Sequence, residues 1–246
     1  MARVDFPEPA LAWLTDGCRG SVLAVAAARG VPRLLAQAGL DVVVLAQDTK
    51  RSAGTMLNPH LTTVVARPEA LPFGSCHFGL VLVHQMLDRL APDQALPELA
   101  RVLRPDGLIA SSYFCRDDSV PWVRRLVTLV RTVDEQAMPG EARAAALEPL
   151  RASKYFTRQE ARDFRIWVPI TRQDMLDMVA EQEAIAALSQ DKRAELLAEV
   201  GTIYDGASRA SELRLPYQLR CWRAHVDQAE LSRPIRPQPD GLIISQ

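Results

Sequence analysis

Residues 21–46 read SVLAVAAARG VPRLLAQAGL DVVVLA, and this stretch decides the fold. Ser21 to Ala26 is an apolar run of strand length, too short for a helix. Gly30-Val31-Pro32 then opens a segment in which Val31, Leu34, Leu35 and Ala38 recur at helical spacing. Its proline falls in the first turn, where the missing N–H has no helical partner to lose. Gly39 follows as a C-terminal cap. Asp41 to Ala46 is a continuous apolar run, as a strand covered by helices on both faces requires. Strand, helix and strand in this order form a crossover unit of a parallel sheet.

The same alternation continues outward. Residues 61–66 (LTTVVA) and 78–84 (FGLVLVH) read as the third and fourth strands. A helix over 92–103 places Leu96, Leu99, Ala100 and Leu103 on one face. Pro105-Asp106-Gly107 stops it, and residues 108–114 (LIASSYF) return as a fifth strand. Helices are expected over 120–135 and 140–152, with a polar stretch from Ser153. The apolar and aromatic alternation in 161–170 (ARDFRIWVPI) and 213–226 (LRLPYQLRCWRAHV) predicts an antiparallel pair closing the sheet, and Pro216 assigns the second of them to the edge. Between them, Thr171 and Asp174 form a capping box at the start of one helix, and a second runs over 190–204. The expected architecture is one α/β domain over residues 1–231. It is a doubly wound, mostly parallel sheet of about seven strands with an antiparallel edge, plus extra helices in its second half. The core spans residues 20–115, with a helical insertion and edge strands over 116–231. The proline-rich residues 232–246 are expected to be a loose tail, whose Gly241-Leu242-Ile243-Ile244 would dock on the body or on another subunit.

Composition narrows the function classes. The 29 basic and 30 acidic residues leave a net charge of -1, so no nucleic-acid partner is expected. No apolar run approaches about 18 residues, which speaks against a membrane span. Cys18, Cys76, Cys115 and Cys221 are far apart without a CxxC pair, so neither zinc nor a disulfide framework is expected, and a reducing, cytoplasmic setting fits.

Three motifs occur in a telling order: Leu71-Pro72-Phe73, then His77-Phe78-Gly79-Leu80-Val81, then Glu98-Leu99-Ala100-Arg101-Val102-Leu103-Arg104-Pro105-Asp106-Gly107. In this order and spacing the chain resembles the class I S-adenosylmethionine-dependent methyltransferases that act on small molecules. Their LPF segment precedes a strand beginning SFD, and their ARVLRPGG precedes the fifth strand. The resemblance covers residues 20–115, and LPYQLRCWRA is similar to the final strand of many relatives. It implies a Rossmann-like sheet, S-adenosylmethionine as cofactor and a small-molecule methyl acceptor. Both LPF and RVLRPDG also have a purely structural reading, as a packed loop and a helix stop.

The resemblance assigns cofactor contacts to particular positions, several of which depart from the family pattern. The DxGxGxG turn after the first strand stands here as Ala24-Val25-Ala26-Ala27-Ala28-Arg29-Gly30. Ala24 therefore occupies the position of the acid at the cofactor's amino group, Ala26 and Ala28 replace glycines, and only Gly30 remains. Arg29 adds a cation beside the site. The ribose-binding acid at the end of the second strand aligns with Ala46, with Gln47 and Asp48 as substitutes. The adenine-facing acid aligns with Arg67, with Glu69 two residues on, and the SFD aspartate is Gly79. His84, at the carboxyl end of the fourth strand where open α/β sheets gather ligands, is a cofactor contact and the candidate base. Tyr113, at the end of the fifth, is the candidate for orienting the acceptor. Trp122, Trp167 and Trp222 are read as core first and pocket second.

Two functions compete. The first is a methyltransferase with a diverged cofactor site. The second is a noncatalytic homologue serving as a binding or partner module, either as a homo-oligomer or paired with an active paralogue. A nicotinamide enzyme is disfavoured, because no GxGxxG follows the first strand.

Overall fold

In the computed structural model the described residues are 6–26, 30–46, 58–135, 137–138, 147–208 and 213–232. They form a seven-stranded sheet in the order β3-β2-β1-β4-β5-β7-β6. Helix α1 (Glu8–Thr15) leads into β1 (Ser21–Ala26), α2 (Gly30–Gln37), β2 (Asp41–Ala46), β3 (Leu61–Val65) and β4 (Phe78–His84). Then follow α3 (Pro92–Val102), β5 (Leu103–Arg116), α4 (Pro121–Arg131), α5 (Glu148–Arg151) and β6 (Phe156–Pro169). The chain continues through α6 (Arg172–Ala180), α7 (Glu183–Ala186), α8 (Gln190–Ala207), β7 (Arg214–Val226) and α9 (Gln228–Leu231). The first five strands are parallel, and β7 runs antiparallel to both β5 and β6.

Alternation along the strands sorts the core into two layers. On one face Val22, Ala24, Leu80, Leu82, Leu108 and Ala110 pack against Ala10 and Leu14 of α1 and Val31, Leu35 and Ala36 of α2. On the other, Leu23, Val25, Val81, Val83, Ile109 and Trp222 pack against Leu96, Leu99 and Ala100 of α3. A third cluster holds α4, α6 and α8 together through Leu126, Val130, Met175, Val179 and Val200. The capping box is present as read: the Thr171 side chain accepts from the Asp174 N–H, and the Asp174 carboxylate accepts from the Thr171 N–H.

Four expectations are corrected. Pro216 does not lie on the edge, since β7 sits between β5 and β6 and the edge is β6. The Pro216 carbonyl accepts from Asp117 N at 3.1 Å, so the missing N–H faces the β5 side just past that strand's last residue, Arg116, where no ladder bond is lost. Helix α3 ends at Val102 rather than 103. Strand β5 then begins at Leu103, opposite Phe78, and loops out over residues 104–107 before Leu108 pairs with Leu80. The polar residues 157–160, after the buried Phe156, belong to β6, because an edge strand exposed along most of its length imposes no apolar period. A short helix, α7, interrupts the connection between α6 and α8. Most of the helix expected over 140–152 and all but the first residue of the tail over 232–246 lie outside the described residues.

Candidate functional site at the carboxyl edge of the sheet

The chain runs from β1 outward through β2 and β3 in one direction and through β4 and β5 in the other. The order therefore reverses between β1 and β4, and ligands of such sheets bind outside the carboxyl ends at this reversal. Ala26 and His84 are register partners there, at the last residues of β1 and β4. Ala46 ends β2 opposite Val65, the last residue of β3. Val65 is 46% exposed although apolar, so the described rim is a ledge of small and apolar side chains without charge.

His84 is 4% exposed. Its Nδ1 is hydrogen-bonded to Ser112 Oγ at 2.9 Å, and its ring meets Phe6 and Phe114 edge-on at centroid distances of 5.5 and 5.8 Å. Burial drives the imidazole pKa down to about 4, with the contact to Ser112 opposing in part, so the ring is neutral at physiological pH. The aromatic row continues from Phe114 to Tyr217, 6.4 Å away on β7. Its members, Phe6, His84, Phe114 and Tyr217, come from four segments far apart in sequence.

Residues 16–111 match the protein family described as Methyltransferase domain. Over those residues the chain is similar to the methyltransferase family. An uncharacterized methyltransferase of Mycobacterium tuberculosis is 31% identical over 134 residues, covering 52% of this chain and 54% of the relative. Another from Schizosaccharomyces pombe is 30% identical over 138 residues, with the same coverage of both chains. The chain thus spans about half the length of the curated relatives it matches. Among solved structures, one described as a type II methyltransferase from Anaeromyxobacter dehalogenans superposes with a TM-score of 0.68 at 18% identity, covering 91% of this chain and 97% of the other. A methyltransferase from an antibiotic biosynthesis pathway of Anabaena variabilis gives 0.60 at 17% identity, covering 87% and 94%. At these identities the superpositions establish the fold, a seven-stranded, mostly parallel methyltransferase sheet with an antiparallel edge.

The motifs that carry the resemblance do structural work in the loops beside the site. Glu98 on α3 accepts from Leu71 N at 2.8 Å and from Arg101 at 2.7 Å, while Arg101 donates to the carbonyls of Phe73 at 2.9 Å and Leu71 at 3.4 Å. This pair pins the LPF loop to α3 and holds the Glu98 carboxyl below its usual range, chiefly through the Arg101 hydrogen bond. In the RPDG turn Asp106 has a φ of 60°, and a Cβ on Gly107 would lie 2.7 Å from the Arg104 carbonyl oxygen. Glycine is needed there because the backbone passes too close for a side chain. Gly79, at the position the resemblance assigns to the SFD aspartate, lies at the amino end of β4, away from the ligand edge. A Cβ there would meet Cys18 Sγ at 3.1 Å.

The remaining sequence-predicted positions divide by location. Ala24 is fully buried between Val44 and Leu82, two residues inside the strand end, and packs in the layer under α1 and α2. Gly30 opens α2, and a Cβ there would meet no heavy atom within 4 Å. Arg67 and Glu69 flank a tight turn closed by the bridge of Arg67 to Ala70. The exposed Arg67 reaches Glu69 at 3.4 Å, and Glu69 accepts from Ala91 N at 3.3 Å, a contact that ties it to the start of α3. Ala28, Arg29, Gln47 and Asp48 lie outside the described residues.

His84 and Tyr113 are not brought together. Ser112, not Tyr113, is the register partner of His84, so Tyr113 projects from the opposite face. There it is buried with Cys115, Leu147 and Leu150, and burial raises its phenol pKa. The tryptophans do not form one pocket either: Trp222 is core, Trp122 packs on the α4–α8 cluster, and Trp167 is exposed on β6 beneath Arg165. His60 pairs with Asp41, His77 stacks on Phe73, and His225 meets the Asp106 carbonyl, which supplies a partner the sequence did not suggest. Among the described residues no cluster of three or more His, Cys, Asp or Glu could hold a metal ion, and no helix is long and apolar enough to cross a membrane.

Sequence reasoning missed Phe6, Ser112, Phe114 and Arg116. The last three alternate along one face of β5 at its carboxyl end, a signal present in the sequence once that edge is known to carry ligands. Phe6 precedes α1, and nothing local announces its contact with β4.

Proposed function

We propose that the chain is an S-adenosylmethionine-dependent methyltransferase acting on a small molecule. The observation that carries this reading is the rim of small and apolar side chains that the described residues form at the β1–β4 reversal, set beside the aromatic wall of Phe6, His84 and Phe114. The methyls of Ala26 and Ala46 leave room for a nucleoside, Val65 offers an apolar ledge to a flat ring, and the unobstructed start of α2 lies next to the turn after β1. The residues present suit the cofactor by shape rather than by ion pairing. The cofactor supplies an electrophilic methyl on a sulfonium.

The protein's own part is to align an acceptor in line with that methyl and to exclude water. Phe6 and Phe114 do the second. His84, neutral at physiological pH, holds the wall through Ser112 and serves as a weakly basic hydrogen-bonding group rather than a store for the acceptor's proton. Its register position beside Ala26 supports a role between cofactor and acceptor, whereas Tyr113, on the other face, shapes the sheet from behind.

The noncatalytic reading keeps one specific support: the positions that the resemblance assigns to acids at the ends of β1 and β2 are Ala24 and Ala46, and neither supplies a carboxylate. A charge-assisted hydrogen bond contributes roughly 1.5 to 3 kcal/mol, so two missing ones weaken binding by about a hundredfold to ten-thousandfold unless other contacts replace them. Isothermal titration with S-adenosylhomocysteine separates the two. Micromolar binding is the expected result; no heat up to millimolar ligand would favour the binding-module function.

A further inference from the structure

Among the described residues, Arg116 is a strongly polar side chain at the ligand edge whose donors the fold itself does not use. It is the last residue of β5, part-buried, and its Nε and Nη1 atoms are buried with no hydrogen-bond partner. None of the ion pairs among the described residues includes it. The carboxylate next to it in the chain is committed elsewhere: Asp117 accepts from Arg165 and from Ser119. Leaving guanidinium donors buried and unpaired is unfavourable, and such groups in native proteins call for a partner that binds later.

The direction in which Arg116 extends the site defines that partner. Ser112, Phe114 and Arg116 share one face of β5, and Tyr217 is the register partner of Arg116 on β7. His84 bonds to Ser112 at the near end, and the Phe114 ring bridges His84 and Tyr217. At about 3.3 Å per residue, Arg116 stands about 13 Å beyond Ser112 along the strand. The result is an aromatic row with the switch point at one end and an unpaired cation at the other.

We propose that the acceptor is an elongated, flat, anionic molecule whose terminal oxyanion, carboxylate or phosphate, is bound by Arg116 while its ring lies along Phe114 and Tyr217. The inference deepens the methyltransferase reading and rests on it for the identity of the near end. A guanidinium suits such oxyanions because its planar donors match their geometry. The methylated atom lies at the end of the molecule remote from the charge.

The test uses 4-hydroxycinnamate and its uncharged amide as probes, titrated calorimetrically into the full chain with and without saturating S-adenosylhomocysteine. Wild type should prefer the carboxylate over the amide by about tenfold to a hundredfold. Arg116→Gln should shrink the preference to about twofold or less, and Arg116→Lys should retain part of it. Because Nε and Nη1 have no hydrogen-bond partner among the described residues, Arg116→Gln should not lower the melting temperature, and S-adenosylhomocysteine affinity should stay unchanged. Equal binding of the two probes to wild type, no binding of either, a preference that survives in Arg116→Gln, or a lowered melting temperature in that variant would overturn the assignment. If S-adenosylhomocysteine fails to bind while an Arg116-dependent carboxylate preference persists, the methyltransferase reading falls and the oxyanion site stands.

Discussion

The buried histidine predicts a pH dependence of stability whose window and sign follow from its surroundings. Folding lowers the His84 pKa from 6.5 to about 4. Between these values the unfolded chain binds a proton that the folded protein excludes, so stability is full above pH 6.5 and falls as the pH drops toward 4. A shift of this size corresponds to about 3 kcal/mol lost by pH 4 and about 2 kcal/mol by pH 5. His84→Met removes the titration. It also leaves Ser112 Oγ without its bond, which costs about 1 kcal/mol or more at every pH. The carboxyl of Asp117, held at about 2 by Ser119 and Arg165 against the effect of burial, loses its contribution only below its unfolded value of 3.8. It is common to both proteins and cancels in the difference. Urea unfolding of each at pH 7, 6, 5 and 4.5 should therefore show wild type starting more stable and converging on or crossing the variant. Parallel curves over this range would refute the argument that His84 is buried neutral.

Three further outcomes follow from the packing around the site. Gly107→Ala forces a methyl to 2.7 Å from the Arg104 carbonyl and should destabilise by about 1 to 3 kcal/mol in chemical denaturation, whereas an unchanged midpoint would mean the turn adapts freely. Arg101→Ala removes the clamp on the LPF loop and leaves Glu98 with only the Leu71 N–H, so a loss of about 1 to 3 kcal/mol is expected, together with faster amide exchange at Leu71. Ala24→Asp should lower the melting temperature markedly, since it buries an uncompensated carboxylate at a cost of about 3 kcal/mol or more. A stable variant with tighter S-adenosylhomocysteine binding would contradict the placement of Ala24 in the core.

Much of this fold is legible locally. The strands β1, β2 and β4 have the expected bounds because two-sided burial demands unbroken apolar runs, and the Thr171–Asp174 box needs only residues three apart. What sequence reading misjudges depends on neighbours distant in the chain. Pro216 is harmless inside the sheet only because β5 ends at Arg116, and the amino-terminal half of β6 is polar because nothing covers it. The candidate site divides in the same way. His84 belongs at the reversal, as the end of any fourth strand of this kind would. The pairing of His84 with Ser112 rather than Tyr113 is a matter of register between strands, which turns one candidate residue to the opposite face. The RPDG turn and the Glu98–Arg101 clamp have a structural role of their own: they hold loops and strands in place whatever the edge binds.

The most direct test of the account is hydrogen exchange of the full chain with and without S-adenosylhomocysteine. The account predicts slowed exchange at the carboxyl ends of β1, β2 and β3, in peptides covering residues 21–31, 41–48 and 61–70, with no change in β6. Unchanged exchange in all three peptides at millimolar ligand, or protection confined to another part of the chain, would contradict it.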